Sequence, residues 1–286
     1  MTVTPALSHL VIEPLIKMAL AEDLGRAGDI TSDSTVPENA RAKVVMAARE
    51  EGRIAGLDLA EAAFRIVDGT LKITRLMHEG ADVRKGDAVL EVEGRARSIL
   101  MAERVALNFV GRMSGVATLT LKMVRATGNH KARIAATRKT TPGLRAVEKY
   151  AVMVGGGIPH RYGLDDAVLI KDNHIAMAGG VKVAIRSAKQ NISHTVKIEV
   201  EVDTLDQLKE VLEEGVDIVM LDNMSCDDMA AAVKMVDGRA LVEASGGVTL
   251  DRIPAISATG VDLISSGAIT HSAPNFDVGL DFKAAA

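Results

Sequence analysis

The sequence has little of the material that several classes of protein require. Cys226 is the single cysteine of 286 residues, which excludes an intramolecular disulfide and is more typical of a reducing cytosol than of an export route. Tryptophan is absent and aromatic residues make up 2% of the chain, so we expect no stacking platform for single-stranded nucleic acid. The start has no basic segment followed by an apolar run, and no stretch approaches the roughly 18 apolar residues of a membrane helix. The sequence therefore predicts a cytoplasmic protein with no membrane partner.

A large net charge is also lacking, although one segment is strongly basic. The whole chain has 34 Lys and Arg against 38 Asp and Glu, a formal net charge of −4. Residues 131–171 hold eight basic and three acidic side chains, a local balance of +5 that leaves −9 for the remainder. One cationic segment in an acidic chain favours a focused cleft for a small polyanion over a nucleic-acid surface. The alternative, a solvated face with interspersed charges, fits poorly with the glycines, proline and β-branched strands in this segment.

The first part of the chain mixes helical and strand-like segments. We predict a helix at 8–24 capped by Ser8, a polar turn-rich segment at 25–39, strands at 42–49 and 54–55, a helix at 59–67, strand-like hairpins at 71–93, and a helix from residue 98 to about residue 127 that is broken near Gly115. The hairpins are similar to those of biotinyl or lipoyl carrier domains, but they lack the lysine that such carriers modify, so we interpret them as structural. A composition shift predicts a domain boundary near residue 112.

Beyond this boundary, short apolar strands alternate with helices. The predicted strands are at 134–137, 167–170, 196–202, 218–221, 241–244 and 263–265, and the helices are at about 142–154, 180–190, 205–214, 226–236 and 250–258. Six such units, with strands that are apolar on both faces, predict a parallel sheet that is closed or nearly closed into a barrel. We expect the tail from about residue 273 to pack back on the first domain.

Polar side chains stand at the C-terminal end of every predicted barrel strand. They are Arg138 and Lys139, residues 171–173, Glu199 and Glu201, Asp222 and Asn223, Glu243 and Ser245, and Ser265 and Ser266. This end of an α/β barrel carries the active site. Strand alternation puts Lys197, Glu199 and Glu201 on one face, which must line a wet or ligand-filled lumen. A salt bridge to a nearby lysine is the alternative for each carboxylate, but Glu201 and Asp222 together, near the barrel mouth, favour a function.

Small-residue turns follow the last two predicted strands. They are Ser245-Gly246-Gly247 and Ser266-Gly267-Ala268. Loops at this place in a barrel commonly hold a phosphate, because glycine lets backbone N–H groups approach the anion and the next helix adds its positive end. Two such turns are therefore a second sign of a phosphorylated substrate.

Two further segments near the basic residues have a structural interpretation. The glycines at 155–157 do not form a P-loop, because no Gly-Lys-Ser or Gly-Lys-Thr follows, and we expect them to shape the loop that presents His160 and Arg161. His174 is more typical of a hydrogen-bonded structural residue than of a metal ligand, since no zinc motif accompanies it. Glu201 and Asp222, together with substrate phosphates, could hold Mg²⁺.

Several motifs resemble those of the quinolinate phosphoribosyltransferase family. They are EDLG and GDIT within 22–31, ERVALNFVGRMSGVAT at 103–118, ATRKTTPGLR at 136–145, EKYAV at 148–152, GGG, HR and GL.D within 155–166, LIKDNHI at 169–175, EVEV at 199–202, LDN at 221–223 and EASGGV at 243–248. They cover nearly the whole chain and are together highly specific. Pro159 departs from the family pattern, which has Asn before the His-Arg pair. The resemblance implies an N-terminal α/β sandwich domain at 1–112 and an open α/β barrel of about six parallel strands at 113–286, assembled at least as a homodimer.

The resemblance also implies roles for individual residues. Arg138, His160 and Arg161 would hold the two carboxylates of quinolinate, which suits arginine because its planar guanidinium can donate two parallel hydrogen bonds. Arg104 would reach into the partner subunit's site, although helical periodicity alone, which groups it with Asn108 and Arg112, favours a solvated stripe. The other implied substrate-binding residues are Thr137, Lys139, Lys171, Glu201, Asp222, Ser245, Gly246, Gly247, Ser266, Gly267 and Ala268, and the implied catalytic set is Lys139, Lys171, Glu201 and Asp222.

The implied reaction joins quinolinate to phosphoribosyl pyrophosphate (PRPP) and releases pyrophosphate and CO₂, with Mg²⁺ at Glu201, Asp222 and the substrate phosphates. Its product, nicotinate mononucleotide, belongs to NAD biosynthesis. Three alternatives stay open at this point. A nicotinate phosphoribosyltransferase would use a substrate with one carboxylate and would release no CO₂. A barrel isomerase or aldolase for a sugar phosphate would leave the arginines unexplained, and a non-enzymatic carrier or binding module would rest on the hairpins alone.

Overall fold

The computed structural model describes residues 6–282 of the chain. None of the helices in this range combines the length and the apolar character that a membrane span requires. In chain order, the elements are α1 (His9–Leu24), α2 (Ile30–Thr35), β1 (Arg41–Ala48), β2 (Gly52–Arg53), α3 (Leu57–Val67), β3 (Lys72–Arg75), β4 (Asp82–Val83), β5 (Ala88–Arg95), α4 (Ala96–Ala126), β6 (Arg133–Ala135), α5 (Arg145–Val154), β7 (Val168–Ile170), α6 (Asp172–Ala178), α7 (Val181–Asn191), β8 (Ile198–Val202), α8 (Leu205–Glu214), β9 (Ile218–Asp222), α9 (Cys226–Val236), β10 (Leu241–Ser245), α10 (Ile253–Ala258), β11 (Leu263–Ser265), α11 (Ala268–His271) and β12 (Val278–Phe282).

Contacts between Cα atoms divide the chain into two compact units. Among the described residues, unit 1 comprises residues 6–119, 146–155 and 273–282, and unit 2 comprises residues 120–145 and 156–272. The division falls inside α4, whose helical pattern continues unchanged past residue 112, where the composition shift predicts a boundary. Helix α5 and strand β12 group with unit 1, so the division follows tertiary contacts rather than the order of the chain.

Unit 1 is built on an antiparallel sheet of order β12-β1-β5-β3. Helix α1 begins where Ser8 accepts a hydrogen bond from the N–H of Leu10, as predicted. It buries Ile12, Ile16 and Leu20, which are spaced by four residues and therefore form one stripe, and it packs against α3. Strand β12 pairs with β1, so the C-terminal segment belongs to this sheet.

Some predictions for unit 1 are wrong in detail. The polar segment at 25–39 contains α2, which begins where Asp29 accepts the N–H of Ser32, and the strand predicted at 54–55 lies at 52–53 instead. Helix α4 is not broken at Gly115. A Cβ at this position would lie 2.0 Å from the carbonyl oxygen of Pro274, so glycine here permits a close approach between two segments and does not end the helix.

Unit 2 is a parallel six-stranded sheet of order β6-β11-β10-β9-β8-β7. All six predicted strands are present, which confirms the interpretation as β-then-α units. In the described part of the chain, the edge strands β6 and β7 are not paired with each other, so the barrel is open, as the resemblance implies. Helices α6 and α11 were not predicted, because seven and four residues carry too few apolar positions for a helical period.

Local sequence signals fix where the barrel helices begin. Thr204 accepts a hydrogen bond from the N–H of Gln207, whose side chain accepts the N–H of Thr204 in return, so both ends of a capping box are satisfied at the start of α8. Leu208 and Val211 then face inward and are buried, and Gly215 ends the helix at φ 68°. Each helix that starts in this way fixes the end of the preceding strand, where the polar residues lie.

Candidate active site

A cavity of about 580 Å³ opens at the carboxyl ends of the barrel strands. Every strand of the sheet contributes to it, either directly or through the residues that follow the strand, because the carboxyl ends of parallel strands meet at one edge. The lining residues are Thr137, Arg138, Lys139, His160, Arg161, Leu169, Lys171, Glu201, Met220, Asp222, Asn223, Glu243, Ser245, Gly246, Gly247 and Ser265. Most residues of the predicted site therefore lie around one cavity.

Two arginines form the cationic part of the cavity. The Nε of Arg138 is buried and donates no hydrogen bond within the described part of the chain. Arg161 donates from Nη1 to the carbonyl oxygen of Ala167 at 2.9 Å. Burial and the nearby charge of Arg138 lower the pKa of the Arg161 guanidinium, although it stays protonated at neutral pH. The charge of Arg138 disfavours the charged form of Arg161, so an anion with two acidic groups would stabilise the pair.

Arg145 connects the two loops that carry these arginines. Its Nε donates to Thr140 Oγ1 at 3.1 Å, its Nη2 donates to the carbonyl oxygen of Arg138 at 3.4 Å, and its Nη1 donates to the carbonyl oxygen of Tyr162 at 3.0 Å. A rigid guanidinium with several donors is suited to such a role, because each bond restricts the others. The sequence analysis did not single out Arg145, since its partners lie on two different loops.

His160 joins the cavity to a buried pair of acids. It has a left-handed backbone (φ 51°), its Nδ1 accepts the N–H of Arg161 at 2.8 Å, and its Nε2 lies 3.4 Å from Glu199 Oε2 and 3.5 Å from Glu243 Oε2. Burial opposes protonation, but the hydrogen bonds and charges of the two carboxylates outweigh it and raise the pKa of His160 to about 9. Burial likewise raises the pKa of Glu199, despite the hydrogen bond from His160.

The same three residues have the composition of a metal site, with ligand atoms within 4.8 Å of one another. The hydrogen-bond pattern favours a hydrogen-bonded cluster of the imidazole and the two acids instead. When Nδ1 accepts the N–H of Arg161, the proton of a neutral imidazole lies on Nε2, and Nε2 then has no lone pair for a metal ion. When the ring is doubly protonated, both nitrogens are donors, and the contact to the Arg161 N–H must be released.

The two carboxylates predicted to act near the sugar each have one hydrogen-bonded oxygen. Glu201 Oε2 accepts a hydrogen bond from the ammonium group of Lys171, and Asp222 Oδ2 accepts one from Asn223 Nδ2 at 2.7 Å. Within the described residues, the second oxygen of each carboxylate accepts no such bond. The arrangement thus leaves two anionic oxygens for substrate hydroxyls or for a hard cation.

The two small-residue turns differ in position. Ser245, Gly246 and Gly247 line the cavity, and both glycines are left-handed, with φ of 82° and 56°. The second turn, residues 266–268, is not among the lining residues. A Cβ on Gly267 would lie 2.8 Å from Lys139 Cδ, and Thr270 Oγ1 donates to the carbonyl oxygen of Lys139 at 2.7 Å. This turn therefore supports the segment that carries Lys139.

Other predicted and unpredicted residues complete the description. Arg104 is exposed on α4 in unit 1 and is not part of the cavity lining. His174 is hydrogen-bonded, as its structural interpretation predicts: its Nδ1 accepts the N–H of Lys171 at 3.0 Å. Leu169 and Met220 line the cavity without having been singled out, because an apolar residue in an apolar strand gives no signal of which face it occupies.

The open parallel barrel, with arginines and carboxylates converging at its strand ends, places this protein among the α/β-barrel enzymes that act on anionic substrates. Comparison with known proteins identifies the family. The profile of the quinolinate phosphoribosyl transferase N-terminal domain matches residues 29–114, and that of the C-terminal domain matches residues 116–281. The chain belongs to the quinolinate phosphoribosyl transferase family, which confirms the resemblance inferred from its motifs.

Individual relatives are similar to this protein over nearly the full length of both chains. A probable carboxylating nicotinate-nucleotide pyrophosphorylase of Bacillus subtilis is 41% identical, over 96% of this chain and 94% of the relative. A probable carboxylating nicotinate-nucleotide pyrophosphorylase of Methanocaldococcus jannaschii is 45% identical, over 93% of this chain and 95% of the relative. The solved structure of the nicotinate-nucleotide pyrophosphorylase from Francisella tularensis superimposes with a TM-score of 0.94 at 39% identity, covering 99% of this chain and 100% of that one. The expected fold, an N-terminal α/β domain followed by an open barrel, is confirmed.

Proposed function

We propose that this enzyme transfers the phosphoribosyl group of PRPP to quinolinate and releases pyrophosphate and CO₂, giving nicotinate mononucleotide for NAD biosynthesis. The observation that carries the proposal is the convergence of Arg138 and Arg161 with Glu201 and Asp222 around one cavity. The guanidiniums suit a ring with two carboxylates, and the carboxylates suit a sugar that develops positive charge. The named relatives carry this activity in their descriptions.

The bond changes follow from this distribution of charge. The bond between the anomeric carbon and the pyrophosphate oxygen breaks, and Glu201 and Asp222 stabilise the positive charge on the ribose ring. The pyridine nitrogen then bonds to the anomeric carbon and becomes quaternary. The bond to the adjacent carboxylate breaks next, CO₂ departs, and the electron pair left on the ring carbon takes up a proton. The arginines and lysines contribute mainly by holding both anions in the reactive geometry.

Mg²⁺ belongs to the proposal. Glu201 and Asp222 each offer one oxygen that accepts no hydrogen bond from the described residues, and this donor set fits an ion that protein sites hold through one or two carboxylates together with phosphate oxygens. The chemistry supplied by the bound ion is neutralisation of the charge on the leaving pyrophosphate.

We further propose a cytoplasmic homodimer in which Arg104 enters the partner's site. Arg104 is exposed on α4, so its side chain is available to a second copy, as the role implied by the family requires. Mixing an Arg104→Ala protein with a Lys171→Ala protein tests this arrangement. Hybrid dimers would contain one intact site and recover up to about a quarter of wild-type turnover, whereas independent subunits would recover none.

The experiment that tests the proposed reaction follows carbon from a defined position. Quinolinate labelled in its 2-carboxyl group is incubated with PRPP, and both released CO₂ and the nucleotide are measured. Equal amounts of the two products support the proposal. Nucleotide formed from nicotinate, without CO₂ from quinolinate, would instead identify a nicotinate phosphoribosyltransferase. The absence of nucleotide from either acid would overturn phosphoribosyl transfer and leave the sugar-phosphate isomerase or aldolase to be tested.

A further inference from the structure

Asn223 connects the carboxylate of Asp222 to the glycine turn that follows β10. Its side-chain Nδ2 donates to Asp222 Oδ2 at 2.7 Å, and its backbone N–H donates to the carbonyl oxygen of Ser245 at 3.0 Å. Ser245 lies opposite Asp222 in the parallel pairing of β9 and β10. A single residue thus contacts both the acid at the end of one strand and the turn at the end of its neighbour.

The glycine turn is shaped around the side chain of Asn223. A Cβ on Gly246 would lie 2.3 Å from Asn223 Oδ1 and 2.8 Å from the Asn223 backbone nitrogen, so no larger residue fits at this position. Gly246 is left-handed at φ 82°, and Asn223 itself is left-handed at φ 55°. The two residues therefore fit each other only because Gly246 lacks a side chain and Asn223 tolerates this backbone conformation.

We propose that Asn223 is a positioning residue for the phosphoribosyl group: its amide orients the Asp222 carboxylate, and its volume sets the turn that would receive the phosphate. The inference rests on the proposed phosphoribosyl transfer for the identity of the ligand. The chemical class it commits to is a pentose phosphate, whose hydroxyls would meet Asp222 while its phosphate meets Gly246 and Gly247.

Two physical arguments indicate why a partner is needed and why it is asparagine. The terminal torsion of an aspartate is broad, so the direction of the Asp222 carboxylate is set by what it bonds to, and within the described residues that is Asn223 alone. The left-handed backbone does not by itself select asparagine, because glycine and aspartate also tolerate it. Only the amide adds a hydrogen-bond donor for a carboxylate.

The test uses two variants that keep the backbone conformation of Asn223 but lose its side-chain donor. Asn223→Gly and Asn223→Asp both suit the left-handed conformation but lack the Nδ2–H. We expect each to lower kcat/KM for PRPP by about 10- to 100-fold, the range for hydrogen bonds to charged groups, while KM for quinolinate changes less than about threefold. Wild-type values for both variants would overturn the proposal, because Asn223 would then matter only for its left-handed backbone conformation and not for its side-chain amide.

A double-mutant cycle separates positioning from general disruption. If the amide acts through the carboxylate, adding Asn223→Asp, which keeps the volume in the turn, to Asp222→Asn should cost less than about threefold beyond the single Asp222→Asn change. Full additivity of the two losses would overturn the proposed coupling. Asp237→Gly is the matched control, since Asp237 is also left-handed (φ 48°) but ends α9 and does not line the cavity. It should keep wild-type kinetics.

Direct binding distinguishes a failure of this inference from a failure of the proposed function. Ribose 5-phosphate is titrated into the full-length protein by calorimetry. Wild-type binding that is weakened at least about tenfold in Asn223→Gly supports the positioning role, even if no transfer to quinolinate is detected. Transfer activity with equal ribose 5-phosphate affinity in wild type and variant overturns the positioning role while the function stands. Absence of both binding and transfer in the wild-type protein overturns both.

Discussion

Lys171 donates a hydrogen bond from its ammonium group to the carboxylate of Glu201. The two residues come from neighbouring strands, since Lys171 follows β7 and Glu201 lies on β8. Each was expected to meet an oppositely charged part of the substrates, and in this structure they compensate each other. Binding of a phosphorylated anion would give Lys171 a second partner.

Replacing Lys171 by Ala is expected to lower turnover at least about 100-fold, because the cavity loses a cation and Glu201 loses its partner. The melting temperature should change little, since the lysine side chain is 44% exposed and exposed pairs contribute about 1 kcal/mol or less. Steady-state kinetics and thermal unfolding measure both quantities. Lys182→Ala is the matched control because Lys182 pairs with Glu213 on the surface at 2.6 Å. A similar loss of turnover in the control would contradict this role of Lys171.

The paired arginines give a second prediction. Arg138→Ala, Lys139→Ala and Arg161→Ala should each reduce turnover by orders of magnitude without unfolding the chain, because each removes a cation from the cavity. Arg138→Lys keeps the charge but not the two-pronged geometry, so it should mainly raise KM for quinolinate, by about 10- to 100-fold. Arg133→Ala, at the opposite end of β6, should behave as wild type. Normal turnover from any of the three alanine variants, in a folded sample, would refute the assignment.

Arg145 should affect the reaction without touching the substrate. Arg145→Lys keeps one charge but cannot make all three bonds to Thr140, Arg138 and Tyr162, so the two arginine-bearing loops lose their connection. We expect KM for quinolinate to rise by about tenfold while KM for PRPP changes less. Added guanidine should partly restore activity to Arg145→Gly if the bonds matter. No rescue, together with a uniform loss of folded protein, would show a purely structural role.

The buried histidine cluster predicts a pH dependence of stability. The pKa of His160 is raised to about 9 from its usual 6.5. Its contribution to the free energy of unfolding is therefore fully present below pH 6.5 and is lost as the pH rises through 9. The shift corresponds to at most about 3 kcal/mol, and the contact with the Arg161 N–H reduces it. Denaturant unfolding at pH 6 and pH 9 should show wild type losing more free energy of unfolding than His160→Gln. Equal losses would mean that the ring does not titrate in this range.

Gly115 gives a prediction for unit 1 alone. Gly115→Ala would place a Cβ 2.0 Å from the Pro274 carbonyl oxygen, so either α4 or the segment at 273–276 must shift. Overpacking of this kind typically costs about 1–3 kcal/mol of unfolding free energy. Gly69→Ala is a suitable control, because the nearest atom to its Cβ would be 3.9 Å away. Chemical denaturation of the two variants should separate them clearly, and equal stabilities would disprove the close approach.

Much of the fold could be predicted because its signals are local. The six barrel strands are apolar runs, and the helices between them carry caps such as Thr204 and apolar positions at helical spacing. Predictions were wrong where a residue's role depends on contacts with residues that are distant in sequence. Gly115 looks like a helix breaker in sequence, yet its lack of a side chain accommodates Pro274. Helix α6 was missed because its seven residues carry too few apolar positions to show a helical period.

The candidate site was partly predictable for a different reason. In parallel β-then-α units, residues at strand ends must meet at one edge, so Arg138, Lys171, Glu201 and Asp222 could be grouped before the fold was known. The motifs added the family and the expected ligand chemistry, which spacing alone could not supply. The two small-residue turns looked equivalent in sequence, but only residues 245–247 line the cavity, since the direction of each turn depends on the packing around it.

By itself, the amino-acid sequence determined most of the elements, the parallel barrel, the cationic strand ends and the family, because periodicity, caps and motifs depend on residues that are close in sequence. Only the tertiary structure decided which charges compensate each other: Lys171 with Glu201, and His160 with Glu199 and Glu243. It also decided that Asn223 bonds to Asp222 and occupies the space that Gly246 leaves open. Such partners are set by distances of a few ångströms between adjacent strands and loops, and these distances exist only once the chain has folded.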